Sequence, residues 1–299
     1  MEEILFQRPQ LEHRELIESY FKKYPSRICE RTFVNEYLWC RFYQVTFAIV
    51  NDTLVFRSGE AGSFSFPAGE AQKVRETIVL LQEYAEERGF PFLLYNVTTE
   101  FFEQLEAWFP NRFEIFYERD YADYVYETEK LASLSGKKLH AKRNHINKFK
   151  ATYPNWTYEA MSAENVEECF QMALKWRKEN GCEDDEEKNA EMCVTLNSLR
   201  LFEELDLKGG ILRIDGDIVA FTIGEEVSPD TFVVHIEKAF GDIQGAYPMI
   251  NQQFVQHACI DYQYVNREDD TGAEGLRKAK LSYYPAFLVE KGVVKEKVQ

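Results

Sequence analysis

Residues 231–251 read TFVVHIEKAFGDIQGAYPMIN: an apolar run, a loop of small residues and the start of a second apolar run. Alternation in the first ten residues predicts a strand that places Val233, His235 and Glu237 on one face. Gly245 and Ala246 then lead into a helix predicted from about residue 247 to 261. Pro248 fits there, since the N–H that it lacks would be unpaired in a first helical turn. This order predicts an α/β layer.

Two hairpins repeat this plan at different places in the chain. The pair Asn51-Asp52 separates two apolar runs in the first half, and Asp215-Gly216 separates two in the second. Asp-Gly between apolar runs is a strong hairpin signal. Further predicted elements are helices at 11–24, 71–88, 100–108 and 274–284, helices between 136 and 204, and strands at 92–95, 113–117, 121–126 and ending at 266. We therefore predict two α/β halves, residues 1–130 and 131–299.

Composition limits the class of protein. The chain has 299 residues, 45% of them hydrophobic, which is enough to build a full core. No apolar stretch approaches the roughly 18 residues of a membrane span, and the first residues are acidic where a signal peptide is basic. The six cysteines form no CxxC pair, so we expect free thiols, no metal site and a cytoplasmic location.

The charge is unevenly distributed. The net charge is −16, but residues 137–150 hold six Lys and Arg residues and no acid, which leaves −22 for the remainder. On a helix, Leu139, Ile146 and Phe149 form one face, with Lys142 inside that arc and Arg143 at its edge. The segment fits either a solvated basic face or a docking site for an anionic group such as phosphate.

Other polar residues follow the strand at 231–240. His235 and Glu237 are candidate general bases, or ordinary side chains of a partly exposed strand. Gly245 and Ala246 are expected to leave backbone N–H groups exposed at the start of a helix, where anions bind. Lys280 is predicted to face inward between Tyr283 and Tyr284. The acidic residues at 268–270 show no spacing typical of a metal-binding loop.

Two stretches carry a resemblance to a known family. They are LSGKK at 134–138 running on through KRNHINKF at 142–149, and NRED at 266–269 running on through GLRKAK at 275–280. Both resemble a family of bacterial proteins related to the C-terminal domain of phosphatidylglycerol lysyltransferases. The resemblance implies two tandem GNAT-like domains, each a mostly antiparallel mixed sheet flanked by helices, as in Fem-type aminoacyltransferases.

The resemblance also implies roles for particular residues. The loop after the fourth GNAT strand, which holds the donor's pyrophosphate, corresponds to Gln244, Gly245, Ala246 and Tyr247, although Gln244 directly precedes Gly245 where the GNAT pattern has two intervening residues. Glu237 is then the expected base, with His235 beside it, and Tyr283 or Tyr284 the expected acid. The expected anion-binding residues are Lys142, Arg143, Asn266, Arg277 and Lys280.

We therefore expect an acyltransferase or aminoacyltransferase. The donor would be a coenzyme A thioester or an aminoacyl-tRNA, and the acceptor an amine or a hydroxyl. The alternative is a non-catalytic GNAT-like module that binds an anionic, phosphate-containing ligand. The acidic remainder of the chain argues against broad binding of polyanions.

Overall fold

A computed structural model describes residues 4–59 and 62–297. The α-helices are α1 Arg14–Lys23, α2 Phe33–Trp39, α3 Ala71–Arg88, α4 Thr99–Trp108, α5 Thr128–Ser133, α6 His140–Thr152, α7 Val166–Glu179, α8 Glu186–Arg200, α9 Ala246–Ala258 and α10 Glu274–Leu281. The strands are β1 Thr46–Val50, β2 Thr53–Ser58, β3 Ser63–Ser65, β4 Leu93–Thr98, β5 Phe113–Tyr117, β6 Asp123–Glu127, β7 Trp156–Ala160, β8 Lys208–Ile214, β9 Asp217–Ser228, β10 Thr231–Ala239, β11 Tyr264–Asn266, β12 Phe287–Val289 and β13 Lys291–Glu296.

The strands form two mixed sheets flanked by helices, which confirms the predicted fold class. The first sheet has the order β1-β2-β3-β4-β13-β5 and the second has the order β12-β6-β11-β10-β9-β8-β7. The predicted hairpins β1–β2 and β8–β9 are antiparallel, whereas β3 pairs with β4 and β10 with β11 in parallel.

Each sheet contains a strand from the other half of the sequence. The C-terminal strand β13 lies between β4 and β5. The strand β6, which we predicted to complete the first half, pairs with β11 in the second sheet. By contacts, the chain divides into one unit of residues 1–123, 269–273 and 288–299 and another of residues 124–268 and 274–287. We predicted halves of residues 1–130 and 131–299, whereas this division assigns 124–130 to the second unit and 269–273 and 288–299 to the first.

An apolar core lies on the sheet of the first unit. Val55, Phe64 and Leu94 from the strands pack with Ile78 and Leu81 from α3, all fully buried. The helix α3 ends where the sequence predicted, because Gly89 adopts a left-handed φ of 71° and its N–H caps the last turn. Burying these side chains drives the folding of the unit, at roughly 1.5–3 kcal/mol each.

In the second unit a β-bulge sets the direction of the polar side chains on β10. The register with β9 shifts between Val234 and Ile236, so His235 is the extra residue. The surrounding strand positions are buried and apolar, including Phe232 and Ile236. The bulge therefore separates His235 from Glu237, although simple alternation predicted them on one face.

Several elements differ from the prediction. The edge strand β7, the short helix α2 and the two strands β12 and β13 were not predicted. The helix α10 ends at Leu281, so Tyr283 and Tyr284 lie in the turn beyond it. The six cysteines are free thiols, as expected. Within the described residues, none of the helices has the length and apolar character needed to cross a bilayer.

Candidate functional site

Five side chains of the second unit form a cluster at the ends of β10 and β11. Arg267, just after β11, donates through Nη2 to Oε1 of Glu237 on β10 at 2.9 Å. Asn251 on α9 donates through Nδ2 to the other oxygen of Glu237 at 3.0 Å. Lys142 on α6 places Nζ 4.0 Å from the ring centroid of Tyr283, and Arg267 lies 4.9 Å from the same ring. We call these five residues the Arg267 cluster.

The pKa of Lys142 is lowered by its surroundings, which bears on its use as a base. Burial, and after it the positive charge of Arg267, lower the pKa of Lys142 from its ordinary 10.5 to about 8, although Glu237 acts in the opposite direction. A lysine with this pKa is partly neutral at physiological pH, and a neutral amine can accept a proton. The sequence predicted that Lys142 faces inward, and the structure places it there.

Two buried atoms of the cluster lack a hydrogen bond of ordinary geometry within residues 4–59 and 62–297. They are Nη1 of Arg267 and Oδ1 of Asn251. The Tyr283 hydroxyl also interacts with the Arg267 guanidinium. A buried donor and a buried acceptor left unpaired each cost roughly 1–3 kcal/mol. A water molecule or a ligand that pairs with these atoms removes this cost. The cluster therefore offers one donor and one acceptor to a bound molecule.

A second layer of contacts fixes Arg267. Lys280 donates through Nζ to the carbonyl oxygen of Arg267 at 2.6 Å, and the hydroxyl of Tyr126 donates to the carbonyl oxygen of Lys280 at 2.8 Å. Burial raises the pKa of Tyr283 and of Tyr126, so both phenols stay protonated at neutral pH. Lys280 points inward as predicted, but its ammonium group donates a hydrogen bond to the backbone of Arg267.

His235 does not suit the predicted role of general base. Its Nδ1 lies 2.7 Å from Glu268 and its Nε2 lies 2.9 Å from Glu225. Burial alone would lower the pKa of His235, but the hydrogen bonds and charges of the two carboxylates outweigh burial and raise the pKa to about 10. An imidazolium that donates from both nitrogens has no lone pair to accept a proton. His235 links two strands and a loop instead.

The start of α9 offers fewer donors than predicted. Ala246 is buried and its N–H bonds to the carbonyl of Ile243, while the N–H of Met249 bonds to the carbonyl of Gly245. Pro248 has no N–H. A Cβ at Gly245 would lie 2.8 Å from the carbonyl oxygen of His145, so α6 packs closely over this loop. Of the two residues expected to expose an N–H group, Ala246 thus uses its own internally.

The remaining predicted residues lie around the cluster. Arg143 donates through Nη1 to the carbonyl oxygens of Leu134 and Gly136, which closes the loop before α6. Asn266 is fully buried and accepts from the N–H of Glu268, and Arg277 is half-buried on α10. Their predicted binding of an anion stays a prediction.

Three further predicted residues are exposed. Tyr284 is 48% exposed and Tyr247 is 38% exposed, in contrast to the buried Tyr283. Gln244 is exposed in the loop before α9. Only Tyr283 of the two candidate acids lies in the Arg267 cluster.

The segment around the start and end of α6 is basic. Lys137 and Lys138 before the helix, and Lys148 and Lys150 on it, are exposed, whereas Ile146 and Phe149 are buried. Lys142 is more buried than these four lysines.

Comparison with known families identifies the chain's relatives. The family described as phosphatidylglycerol lysyltransferase, C-terminal, matches residues 21–294. This chain belongs to that family. An uncharacterized protein of Mycoplasmoides gallisepticum is 28% identical over 177 residues, which are 58% of this chain and 56% of that protein. The chain spans about half the length of that curated relative.

Solved structures confirm the fold. A conserved protein of unknown function from Bacteroides thetaiotaomicron is 39% identical, with a TM-score of 0.93, and the match covers 99% of this chain and 100% of that one. The C-terminal domain of a putative lysylphosphatidylglycerol synthetase from Agrobacterium fabrum has a TM-score of 0.68 at 13% identity, covering 96% and 92%. A GNAT-family acetyltransferase from Colwellia psychrerythraea has a TM-score of 0.52 at 10% identity, covering 99% and 100%. The chain therefore shares its fold with these proteins over nearly its whole length.

Sequence reasoning missed two residues of the cluster. Arg267 lies in a run of polar residues in which Asn266 was the predicted anion-binding residue. Asn251 lies in a helix whose pattern is mainly apolar. The signal for Arg267 was available, because it follows directly on a short strand in an α/β fold, where ligands bind beyond strand ends. No local pattern distinguished Asn251.

Proposed function

We propose that the second unit transfers an aminoacyl or acyl group to an amine or hydroxyl acceptor, with the Arg267 cluster as its reaction centre. The observation that carries this proposal is the buried, unpaired Nη1 of Arg267 beside a lysine with a lowered pKa. Acyl transfer passes through a tetrahedral intermediate with a negative oxygen, and it needs a base to deprotonate the nucleophile. The cluster contains a donor for the first and a base for the second.

We assign the roles from the contacts. Arg267 Nη1 donates to the oxygen of the reacting carbonyl as negative charge develops on it. Neutral Lys142 takes the proton of the attacking amine or hydroxyl, and the protonated Tyr283 beside it gives a proton to the leaving group. Glu237 already accepts from Arg267 and Asn251, so we assign it to holding Arg267 in place of the basic role that the sequence suggested.

An aminoacyl-tRNA is the donor that we favour over a coenzyme A thioester. The family name refers to lysyl transfer, and the exposed lysines just before α6 and on it suit a phosphate backbone. Coenzyme A needs backbone donors at the start of α9, where Ala246 and Met249 are already bonded and Pro248 has none. We place the reaction in the cytoplasm, where aminoacyl-tRNA is made and the free cysteines stay reduced.

The second candidate is a module that binds an anionic ligand without reacting it. The tight contact of the Gly245 loop with α6 supports this alternative, since it departs from a pyrophosphate-binding loop. In this case Lys142 and Arg267 would hold a phosphate or carboxylate, and turnover would be absent.

Transfer from tRNA charged with radiolabelled lysine tests the proposal. The full chain is incubated with the charged tRNA and either hydroxylamine or phosphatidylglycerol vesicles as acceptor, and label leaving the tRNA is compared with a protein-free blank. We expect Lys142→Met to lower the enzymatic rate by about 10²–10⁴-fold and Arg267→Lys by about 10²–10³-fold. Lys208→Met, at a 63% exposed lysine of the second unit to which the proposal gives no role, is the matched control and should keep the rate.

Two results would count against transferase activity. Equal release of label with and without the protein, combined with saturable binding of the charged tRNA, would select the binding module. Equal rates for wild type and Lys142→Met would remove Lys142 from the reaction centre.

A further inference from the structure

A polar cleft lies in the first unit, at the start of β1 and the end of β2. Its lining includes Arg8, Gln44, Thr46, Arg57 and Gly59, and its volume is about 360 Å³. We call it the arginine cleft. This volume falls in the range of small-molecule sites, roughly 300–1,000 Å³. Among the described residues that line it, two are cationic and none is acidic.

Arg57 is held rigidly without a polar partner. Its guanidinium lies 5.9 Å from the ring centroid of Phe6 and 5.5 Å from that of Phe90. Within residues 4–59 and 62–297 its side chain forms no hydrogen bond or ion pair, and its Nε is buried and unsatisfied. Stacking on aromatic faces orients a guanidinium while leaving its N–H edges available. The fork of donors is therefore preorganised for an anion.

Gly62 helps to explain this geometry. It has a left-handed φ of 72°, and a Cβ there would lie 2.6 Å from Nη2 of Arg57. A side chain at this position would displace the guanidinium. Because Gly62 has no side chain, its backbone can lie directly beside the guanidinium of Arg57.

Arg8 supplies the second charge. It is exposed at the cleft and, in the described part of the chain, it too lacks a hydrogen bond or ion pair. The sequence has 51 acidic residues against 35 basic ones, so carboxylates that could pair with an arginine are abundant. Two arginines that line one cleft and form no ion pair with a described carboxylate are suited to binding an external anion.

We propose that the arginine cleft binds a phosphate group carried by a small organic molecule. Guanidinium forks match the oxygens of phosphate in bidentate fashion, and Gln44 adds an amide N–H₂ donor. The cleft is larger than a bare phosphate needs, and Val45 in its lining supplies apolar surface for an organic portion. The phosphate can come from a soluble phosphate ester or from a lipid head group.

The test compares ligand sources on the full chain. Binding of inorganic phosphate and of glycerol 3-phosphate is measured by titration calorimetry, with glycerol as the uncharged control. Vesicles of phosphatidylcholine with and without phosphatidylglycerol are measured by co-sedimentation. The variants are Arg57→Met, which keeps the apolar stem between the rings, and Arg8→Gln. Arg75→Gln, which removes an arginine 5.8 Å from the ring of Phe109, is the matched control.

We expect each cleft variant to weaken binding about 10- to 100-fold, because a hydrogen bond to a charged group contributes that much, while Arg75→Gln binds like wild type. Binding of glycerol 3-phosphate alone assigns the cleft to soluble esters, and binding of phosphatidylglycerol vesicles alone assigns it to lipid head groups. Affinity that is unchanged in Arg57→Met and Arg8→Gln overturns the proposal. So does the failure of both phosphate probes and both kinds of vesicle to bind folded wild-type protein.

Discussion

Replacement of Lys291 by Met should destabilise the first unit severely. Lys291 on β13 has a side chain that is 1% exposed, and its Nζ lies 2.7 Å from Glu30, 2.8 Å from Asp123 and 3.8 Å from Asp269. Cys29 Sγ lies 3.6 Å from the same nitrogen. The Asp123 side chain is fully buried, so removing the ammonium group strands a carboxylate without its cation.

The expected loss follows from the burial. Breaking a buried ion pair by removing one partner costs about 3–5 kcal/mol, because the remaining charge stays desolvated. Lys295→Met is the matched control on the same strand, since Lys295 pairs with Glu114 at 3.4 Å with side chains 46% and 37% exposed. An exposed pair of this kind contributes about 0–1 kcal/mol.

Urea denaturation of the three proteins at neutral pH measures the difference. Burial alone would lower the pKa of Lys291, but the charges of Asp123 and its other neighbours raise it well above the ordinary value. The stabilisation is therefore complete below the ordinary lysine pKa and is lost only as pH rises through the native one. Equal midpoints for Lys291→Met and Lys295→Met, or a loss below about 1 kcal/mol, would refute this reasoning.

Two further substitutions test the second unit. His235→Asn should lower the free energy of unfolding most below pH 6.5 and progressively less as pH rises toward 10, because the native pKa of His235 is raised to about 10 from 6.5. A loss that is independent of pH in urea unfolding would show that His235 is neutral in the fold. Gly245→Ala should lower the free energy of unfolding by at least about 1 kcal/mol, since φ is +88° and the new Cβ would meet the His145 carbonyl at 2.8 Å; an unchanged melting temperature in calorimetry would mean that α6 does not pack on this loop.

Local signals predicted the elements that local sequence determines. The turns at Asn51-Asp52 and Asp215-Gly216 and the left-handed Gly89 act on their immediate neighbours, and the hairpins and α3 appear where they were expected. The inward position of Lys142 was predicted for the same reason, because helical spacing from Ile146 and Phe149 fixes its direction.

Long-range pairing was beyond the reach of those signals. The strand β13 pairs with β4, almost 200 residues earlier, and nothing in the segment KGVVKE at 291–296 indicates that partner. The role of His235 was misjudged because its two carboxylate partners come from β9 and from the loop after β11. The sequence predicted only part of the Arg267 cluster, because Arg267 pairs with Glu237 on another strand and local sequence does not indicate that contact.

The pKa of Lys142 tests the central claim most directly. Carbon-13 NMR of the lysine side chains, with the Lys142 resonance assigned by its loss in Lys142→Met, follows the titration of each ammonium group in the full chain. We predict a midpoint of about 8 for Lys142, well below that of the exposed Lys148. A Lys142 midpoint near 10.5, the same as that of exposed lysines, would contradict the claim that the Arg267 cluster buries a lysine able to act as a base.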